Sequence, residues 1–237
     1  MTTPTTLSVV MPAYNEEGAI ADATAEVREW VLDKIPGSEL VVVDDGSRDR
    51  TGAILDGIAA ADPRVRVIHK PNGGHGPALR TGIDAALGDR LFLIDSDRQI
   101  PLDAFGPLWA AAESGKDAAF GVRTRRQDPV IRLWLTRVVR NVLPLLFGAR
   151  ITDANIPFKL LRRSVWESAR PLIPPDTLAP SLFLAVFAAS RGFDIAYLPV
   201  PHRERQTGTV SIRRWRLLKF CARAFRQLVA FRYRLRG

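Results

Sequence analysis

The sequence predicts an α/β protein built around a mainly parallel sheet, and three observations predict it. Short β-branched apolar runs alternate with helix-spaced stretches through the first half, and such alternation makes βαβ crossovers. The runs are mainly apolar, the pattern of strands covered on both faces. Clusters of Asp, Gly and Asn follow the runs, and in sheets of this kind ligands bind beyond the carboxyl ends of the strands.

Leu7–Met11 is the first strand, a run of Leu, Val and Met around one serine, and Glu17–Asp33 has the spacing of the helix that returns the chain. Leu40–Asp44, with three consecutive valines, is the second strand, followed by a helix over Thr51–Ala60. Val65–His69 and Leu91–Asp95 are the third and fourth strands, with a helix at Pro77–Leu87 between them. A fifth strand falls at Ala118–Val122, a helix at Leu178–Ser190 and a last strand at Ile195–Val200. Without repeats or low-complexity linkers, the chain divides into one α/β domain over 1–210 and a helical tail over 211–237.

At 46% hydrophobic and 25% charged, the composition excludes intrinsic disorder and low-complexity fibres. The net charge of +9 is unevenly placed. Arg203–Gly237 holds eleven of the 34 Lys and Arg and one of the 25 acids, so residues 1–202 are left with 23 bases and 24 acids. A basic tail on a neutral body speaks against a nucleic-acid-coating protein and for a local basic device. One cysteine, Cys221, supports neither an internal disulfide nor a cysteine zinc site, which fits a reducing compartment. The N-terminus has no charged-then-apolar signal pattern. The longest charge-free apolar stretch, Thr177–Ser190, is shorter than the roughly 20 residues of a membrane-spanning helix. The expectation is a cytoplasmic protein without its own membrane anchor.

Four clusters sit at the strand ends: Pro12–Glu17, Asp44–Ser47, Asn72–Gly76 and Asp95–Gln99. Asp95 and Asp97 lie two apart after a buried strand and would repel each other unless a cation or proton lay between them. Such oxygen ligands suit Mg²⁺ or Mn²⁺, and Gln99 adds a third oxygen. Taken alone, Asp-x-Asp would be a polar turn before a helix with Asp103 as its N-cap; at the fourth strand end the metal reading is preferred. Ser47 and Asp49 fit helix capping, while Asp44 and Asp45 can accept hydrogen bonds from a base edge or a ribose. The glycines of Asn72–Gly76 do not form a dinucleotide fingerprint, because Leu79 stands where the third glycine belongs, and no Gly-Lys-Ser/Thr ending follows.

These residues carry a resemblance. Val9–Glu17 (VVMPAYNEE), Val41–Thr51 (VVVDDGSRDRT), Asn72–Gly82 (NGGHGPALRTG) and Asp95–Gln99 (DSDRQ) resemble, in order and spacing, the family 2 glycosyltransferases of GT-A fold. The resemblance covers the first 125 residues and is closest to the dolichol-phosphate mannose or glucose synthase-like branch, where Gln follows the acidic triplet. It continues through Gly121–Arg123, Arg140-Asn141, Asp153–Lys159, Arg162-Arg163 and His202–Gly208. Asn155-Ile156-Pro157 departs from the family's small or polar middle, Ser181 stands where relatives often carry an acid, and Thr209–Ile212 replaces a Ser then Lys. These departures lie in the acceptor-facing half, so the resemblance says more about the donor than about the acceptor.

The resemblance implies the GT-A nucleotide-diphospho-sugar transferase fold and an inverting transfer of a hexose from a UDP-Glc or GDP-Man class donor to a polyprenyl or dolichyl phosphate. Matching positions assign Pro12, Ala13, Tyr14, Glu16, Asp44, Asp45, Gly76, Asp95 and Ser96 to the nucleotide. They assign Asp95, Asp97 and Gln99 to Mg²⁺ or Mn²⁺, and Arg123, Arg140 and Arg205 to donor and acceptor phosphates. Arginine suits that work because it holds phosphate bidentately and keeps its charge. With 29 Arg against 5 Lys, its place within the motifs carries more weight than the residue type. Asp153 is the candidate base if one is needed; otherwise it orients Lys159 or Arg140.

In the tail, Arg216, Lys219, Arg223 and Arg226 share one helical face, with Trp215, Leu218, Ala222, Phe225 and Val229 alongside. Ile131–Phe147 is patterned in the same way. Docking on the body accounts for the apolar residues alone; the basic tail on a neutral body favours an anionic membrane surface. The expected partners are therefore a nucleotide-sugar, a lipid phosphate and the inner membrane face, with no nucleic acid and with homo-oligomerisation left open. A soluble glycan or metabolite acceptor is the nearest alternative, and a non-catalytic nucleotide- or RNA-binding protein is the remote one.

Overall fold

The computed structural model describes residues 5–124, 143–144, 146–148, 151–177, 179–203 and 214–236. Its centre is a seven-stranded sheet in the order β3-β2-β1-β4-β6-β5-β7. The strands are β1 (Leu7–Ala13), β2 (Ser38–Asp44), β3 (Val65–His69), β4 (Arg90–Ile94), β5 (Ala118–Arg123), β6 (Phe158–Arg162) and β7 (Ile195–Val200). All pairings are parallel except those of β6, which runs against both β4 and β5. β6 is not among the strands expected from the sequence: Phe-Lys-Leu-Leu-Arg is charged at its second and last positions and runs directly into the helix that starts at Arg163.

Helices cover both faces. On one lie α1 (Ile20–Val27), α2 (Thr51–Ala61) and α4 (Phe105–Glu113), packed on Val9, Met11, Val42 and Phe92. On the other lie α3 (His75–Ala85), α5 (Arg163–Ala169), α6 (Pro180–Ser190) and α7 (Arg214–Arg236), packed on Val10, Val41, Leu91 and Leu93. Neighbours in a strand serve opposite cores, as period-two geometry requires. The first helix starts three residues later than its spacing suggested, since Glu17–Gly18 form a turn, and it ends in a π-helical turn over Arg28–Leu32.

The register brings the strand ends together. Ala13 pairs with Asp44, and Val10 pairs with Leu93, so Asp95 follows β4 as Pro12 follows Val10. Because β6 is antiparallel, with Phe158 opposite Ile94, the loop entering it lies at the carboxyl end of β4. One reversed strand thus delivers Asp153–Pro157 to the end where the parallel strands deposit their motifs.

The tail is helical over Arg214–Arg236. Among its described side chains, Leu228 and Phe231 are buried, Phe231 edge-on to Phe183 at 5.1 Å between ring centroids. The docking face therefore differs from the anticipated stripe: Phe225 is 52% exposed, and Arg223 pairs with Asp176 at 2.5 Å. The expected helix over Ile131–Phe147 lies outside the described residues, apart from four helical positions at 143–144 and 146–147. No helix among the described residues is long and apolar enough to cross a membrane.

Candidate active site

The first two motifs are fastened to each other. The Asn15 amide donates to Ser47 Oγ at 3.0 Å, Asn15 Oδ1 accepts from the Arg48 amide at 2.8 Å, and the Glu16 amide donates to Thr51 Oγ1 at 2.8 Å. Asn15 reaches this geometry in the left-handed region, at φ 53°, which Asn tolerates better than most residues. Asp49 accepts from the Thr51 amide and hydroxyl just before α2, whose N-cap position is Arg50. Tyr14, 43% exposed, stands out from the end of β1, with Pro12, Ala13 and Glu16 buried beside it.

Asp44 and Asp45 divide their labour. Asp44 accepts from the Ser47 amide and from His69 Nδ1, both at 3.0 Å. Burial would raise its pKa, but these bonds outweigh burial and lower it. Asp45 accepts from Lys70 Nζ at 2.5 Å and from the amides of Gly73 and Gly74 at 2.9 and 2.7 Å. A carboxylate has about four lone-pair directions, so Asp45 shapes the glycine-rich loop and retains about one acceptor direction for a ligand. Gly76 opens α3 pressed against the 174–180 loop: a Cβ there would lie 1.7 Å from the Thr177 carbonyl oxygen.

After β4, Asp95 and Asp97 are half-buried and Ser96 is buried. Arg98, at φ 56°, turns back to Asp22 and Glu26 at 2.6 and 2.5 Å, which keeps its charge away from the two carboxylates. Asp97 Oδ1 accepts from the Gln99 amide at 3.2 Å, and the Gln99 carbonyl accepts from the Arg203 amide at 2.8 Å, linking this turn to the segment after β7. His75 Nε2 lies 2.9 Å from Asp95 Oδ1. Desolvation opposes the charge of His75, but Asp95, then Asp97 and Asp45, outweigh it and raise its pKa.

No cluster of three or more His, Cys, Asp or Glu forms a metal cage among the described residues. The paired carboxylates of Asp95 and Asp97 instead fit the way Mg²⁺ binds, through one or two carboxylates plus ligand phosphates.

Across the sheet end, Asp153 sits at φ 49° with a side chain only 4% exposed. Arg123 grips it by Nε at 2.8 Å and Nη2 at 2.7 Å, with its amide at 3.1 Å. Asp153 therefore orients Arg123; it also acts electrostatically on Lys159, one of the two partners expected for it, and the other, Arg140, lies outside the described residues. Between these groups opens a cavity of about 190 Å³, lined by His75 and Asp95 on one side and Asn155, Pro157 and Ser181 on the other. Arg140 and Arg205 lie outside the described residues. Sequence reasoning assigned no role to Lys70 or His75, and named Lys159 only as a side chain for Asp153 to orient. A signal existed: the chain has three histidines, and His69, His75 and His202 all fall at strand ends or just beyond them.

Known proteins place this arrangement. Undecaprenyl-phosphate 4-deoxy-4-formamido-L-arabinose transferase of Pseudomonas aeruginosa is 31% identical over 216 residues, 90% of this chain and 62% of that protein. The Shewanella sediminis protein of the same name is 29% identical over 205 residues, 85% and 60% of the two lengths. The chain thus spans about three fifths of the curated relatives it matches. Among solved structures, glucosyl-3-phosphoglycerate synthase from Mycobacterium tuberculosis, in complex with Mn²⁺, UDP-glucose and phosphoglyceric acid, superposes with a TM-score of 0.72. It is 21% identical and covers 96% of this chain and 80% of its own, and the shared architecture is the GT-A fold that the motifs led us to expect. The model of the family described as glycosyl transferase family 2 matches residues 8–169, the stretch from β1 to the end of α5 that carries most of the strand-end residues, and on that ground the chain belongs to glycosyl transferase family 2.

Proposed function

We propose that this chain transfers a sugar from a nucleoside-diphosphate donor to a polyprenyl phosphate, with Mg²⁺ or Mn²⁺ held by Asp95 and Asp97 and assisted by Gln99. The names of the relatives support the class of acceptor. Pro12, Ala13, Tyr14, Glu16 and the free direction of Asp45 take the base and ribose, while Asp44 braces the strand end through Ser47 and His69. When bound, the cation stabilises the negative charge of the departing diphosphate.

The observation that carries the acceptor reading is the Arg123–Asp153 pair. An alcohol acceptor needs a general base, and the carboxylate best placed by sequence is spent on a guanidinium. A phosphate monoester, with a second pKa of about 6, arrives largely ionised and needs a fixed cation more than a base. Arg123, oriented by Asp153, is that cation, and Arg140 and Arg205 are further candidates. The basic tail brings the enzyme to the inner face of the membrane, with Phe225 and Tyr233 exposed beside Arg226 and Arg234.

The test is transfer itself. With Mg²⁺ or Mn²⁺, a panel of UDP- and GDP-sugars and a polyprenyl phosphate, the protein should release nucleoside diphosphate and move label into the organic phase. Labelled product confined to water, formed with a glycan or a small metabolite, would overturn the lipid acceptor.

A further inference from the structure

Among the described residues, the fully buried side chains include one cation, Lys159, in the middle of β6. Burying an ammonium is costly unless its donors are satisfied. Lys159 Nζ donates to the carbonyl oxygens of Ala154, at 3.1 Å, and Ile156, and to Ser181 Oγ at 3.0 Å; Ser181 Oγ donates in turn to the Ile156 carbonyl at 2.9 Å. The ring of Phe120 closes the site, 5.2 Å away. None of these partners is a carboxylate. The ionised groups nearby are Asp153 on the loop, Arg123 on β5 and Asp95 after β4, and Asp153 is committed to Arg123.

What the three bonds join explains why the charge is there. Ala154 and Ile156 flank Asn155, and Asn155 and Ser181 line the cavity that holds Asp95. The same loop begins at Asp153, which orients Arg123. We infer that Lys159 is a positioning residue of the active site: its ammonium ties the Asp153–Pro157 loop to the first turn of α6 and so fixes Asn155 and Ser181 in the cavity wall and holds Asp153, the partner of Arg123. The consequence for transfer rests on the proposed function; the clamp itself does not.

Two variants and two readouts test it. Lys159→Met keeps the length and removes the donors, and Ser181→Ala removes one leg while leaving the lysine. Hydrogen exchange of the peptide spanning 151–158 reads the clamp without any substrate, and should quicken about tenfold in both variants while β1 and β2 stay protected. In transfer assays kcat should fall about tenfold or more, because a displacement on the order of 1 Å is enough, with Mn²⁺-dependent nucleoside-diphosphate affinity within about threefold of wild type. Exchange of 151–158 unchanged in both variants overturns the inference, and so does an equal loss of nucleotide affinity and kcat, which marks general collapse. If Lys159→Met does not fold, Ser181→Ala decides by the same criteria. A wild type that transfers no sugar sinks the proposed function and leaves the exchange result to judge the clamp.

Discussion

Lys159 also makes the fold sensitive to pH in a direction that can be worked out. Burial, opposed by Asp153 and Asp95 and reinforced by Arg123, lowers its pKa from 10.5 to about 7. Between those values the unfolded chain binds the proton more tightly, so stability rises with pH across that window. The penalty is complete below about pH 7 and gone above about 10.5, and its size is on the order of a few kcal/mol. Melting temperatures of wild type should climb across this range relative to Lys159→Met; parallel curves would contradict the assignment. Gly76 offers a steric test. Gly76→Ala sets a methyl group against the Thr177 carbonyl, and the forced shift should cost about 1–3 kcal/mol, read as a drop of several degrees in Tm. At this scale the sequence showed Asp95, Asp97 and Arg123 through their motifs. It did not show that Asp153 would be spent on Arg123, because a partnership across 30 residues is made by strand order and leaves no local spacing.

Elements were legible where their periodicity was clean. β1 and β2 follow from mainly apolar runs, β3 from Val65, Val67 and Ile68 despite Arg66, and the helices between them from 3.6-residue spacing. β6 was hidden by the lysine that proves central to it, a buried charge that breaks the apolar pattern. Its reversed direction decides the site, since a parallel strand in that place would carry the Asp153 loop to the opposite end of the sheet. The tail helix was visible in the sequence, but its docking face was not: Leu228 and Phe231 face the body, while Phe225 and Tyr233 are exposed. That division predicts two separable effects. Phe231→Ala should cost about 3–5 kcal/mol of packing and lower Tm. Phe225→Ala combined with Tyr233→Ala should leave Tm almost unchanged, within about 0.5 kcal/mol per site, yet weaken sedimentation with anionic vesicles. Loss of Tm in the double variant, or unchanged vesicle binding, would contradict the proposed outward face.

Across the whole molecule, charge and topology divide the work. The parallel strands gather carboxylates, glycine amides and one oriented guanidinium at a single sheet end, and the excess positive charge lies in the last 35 residues. Composition alone hinted at anionic partners; the location of the charge is what motivates the proposed surface for a membrane. In the proposed function, Asp95 and Asp97 form a cation-dependent site for a nucleoside diphosphate. Isothermal titration of UDP and GDP, with and without Mn²⁺, into wild type and Asp97→Asn tests it most directly. Wild type should bind one of the two only with the cation, and binding should weaken at least about tenfold in the variant, the loss of a charged ligand interaction worth roughly 1.4 kcal/mol or more. Equal affinity without the cation, or an unaffected Asp97→Asn, would contradict it.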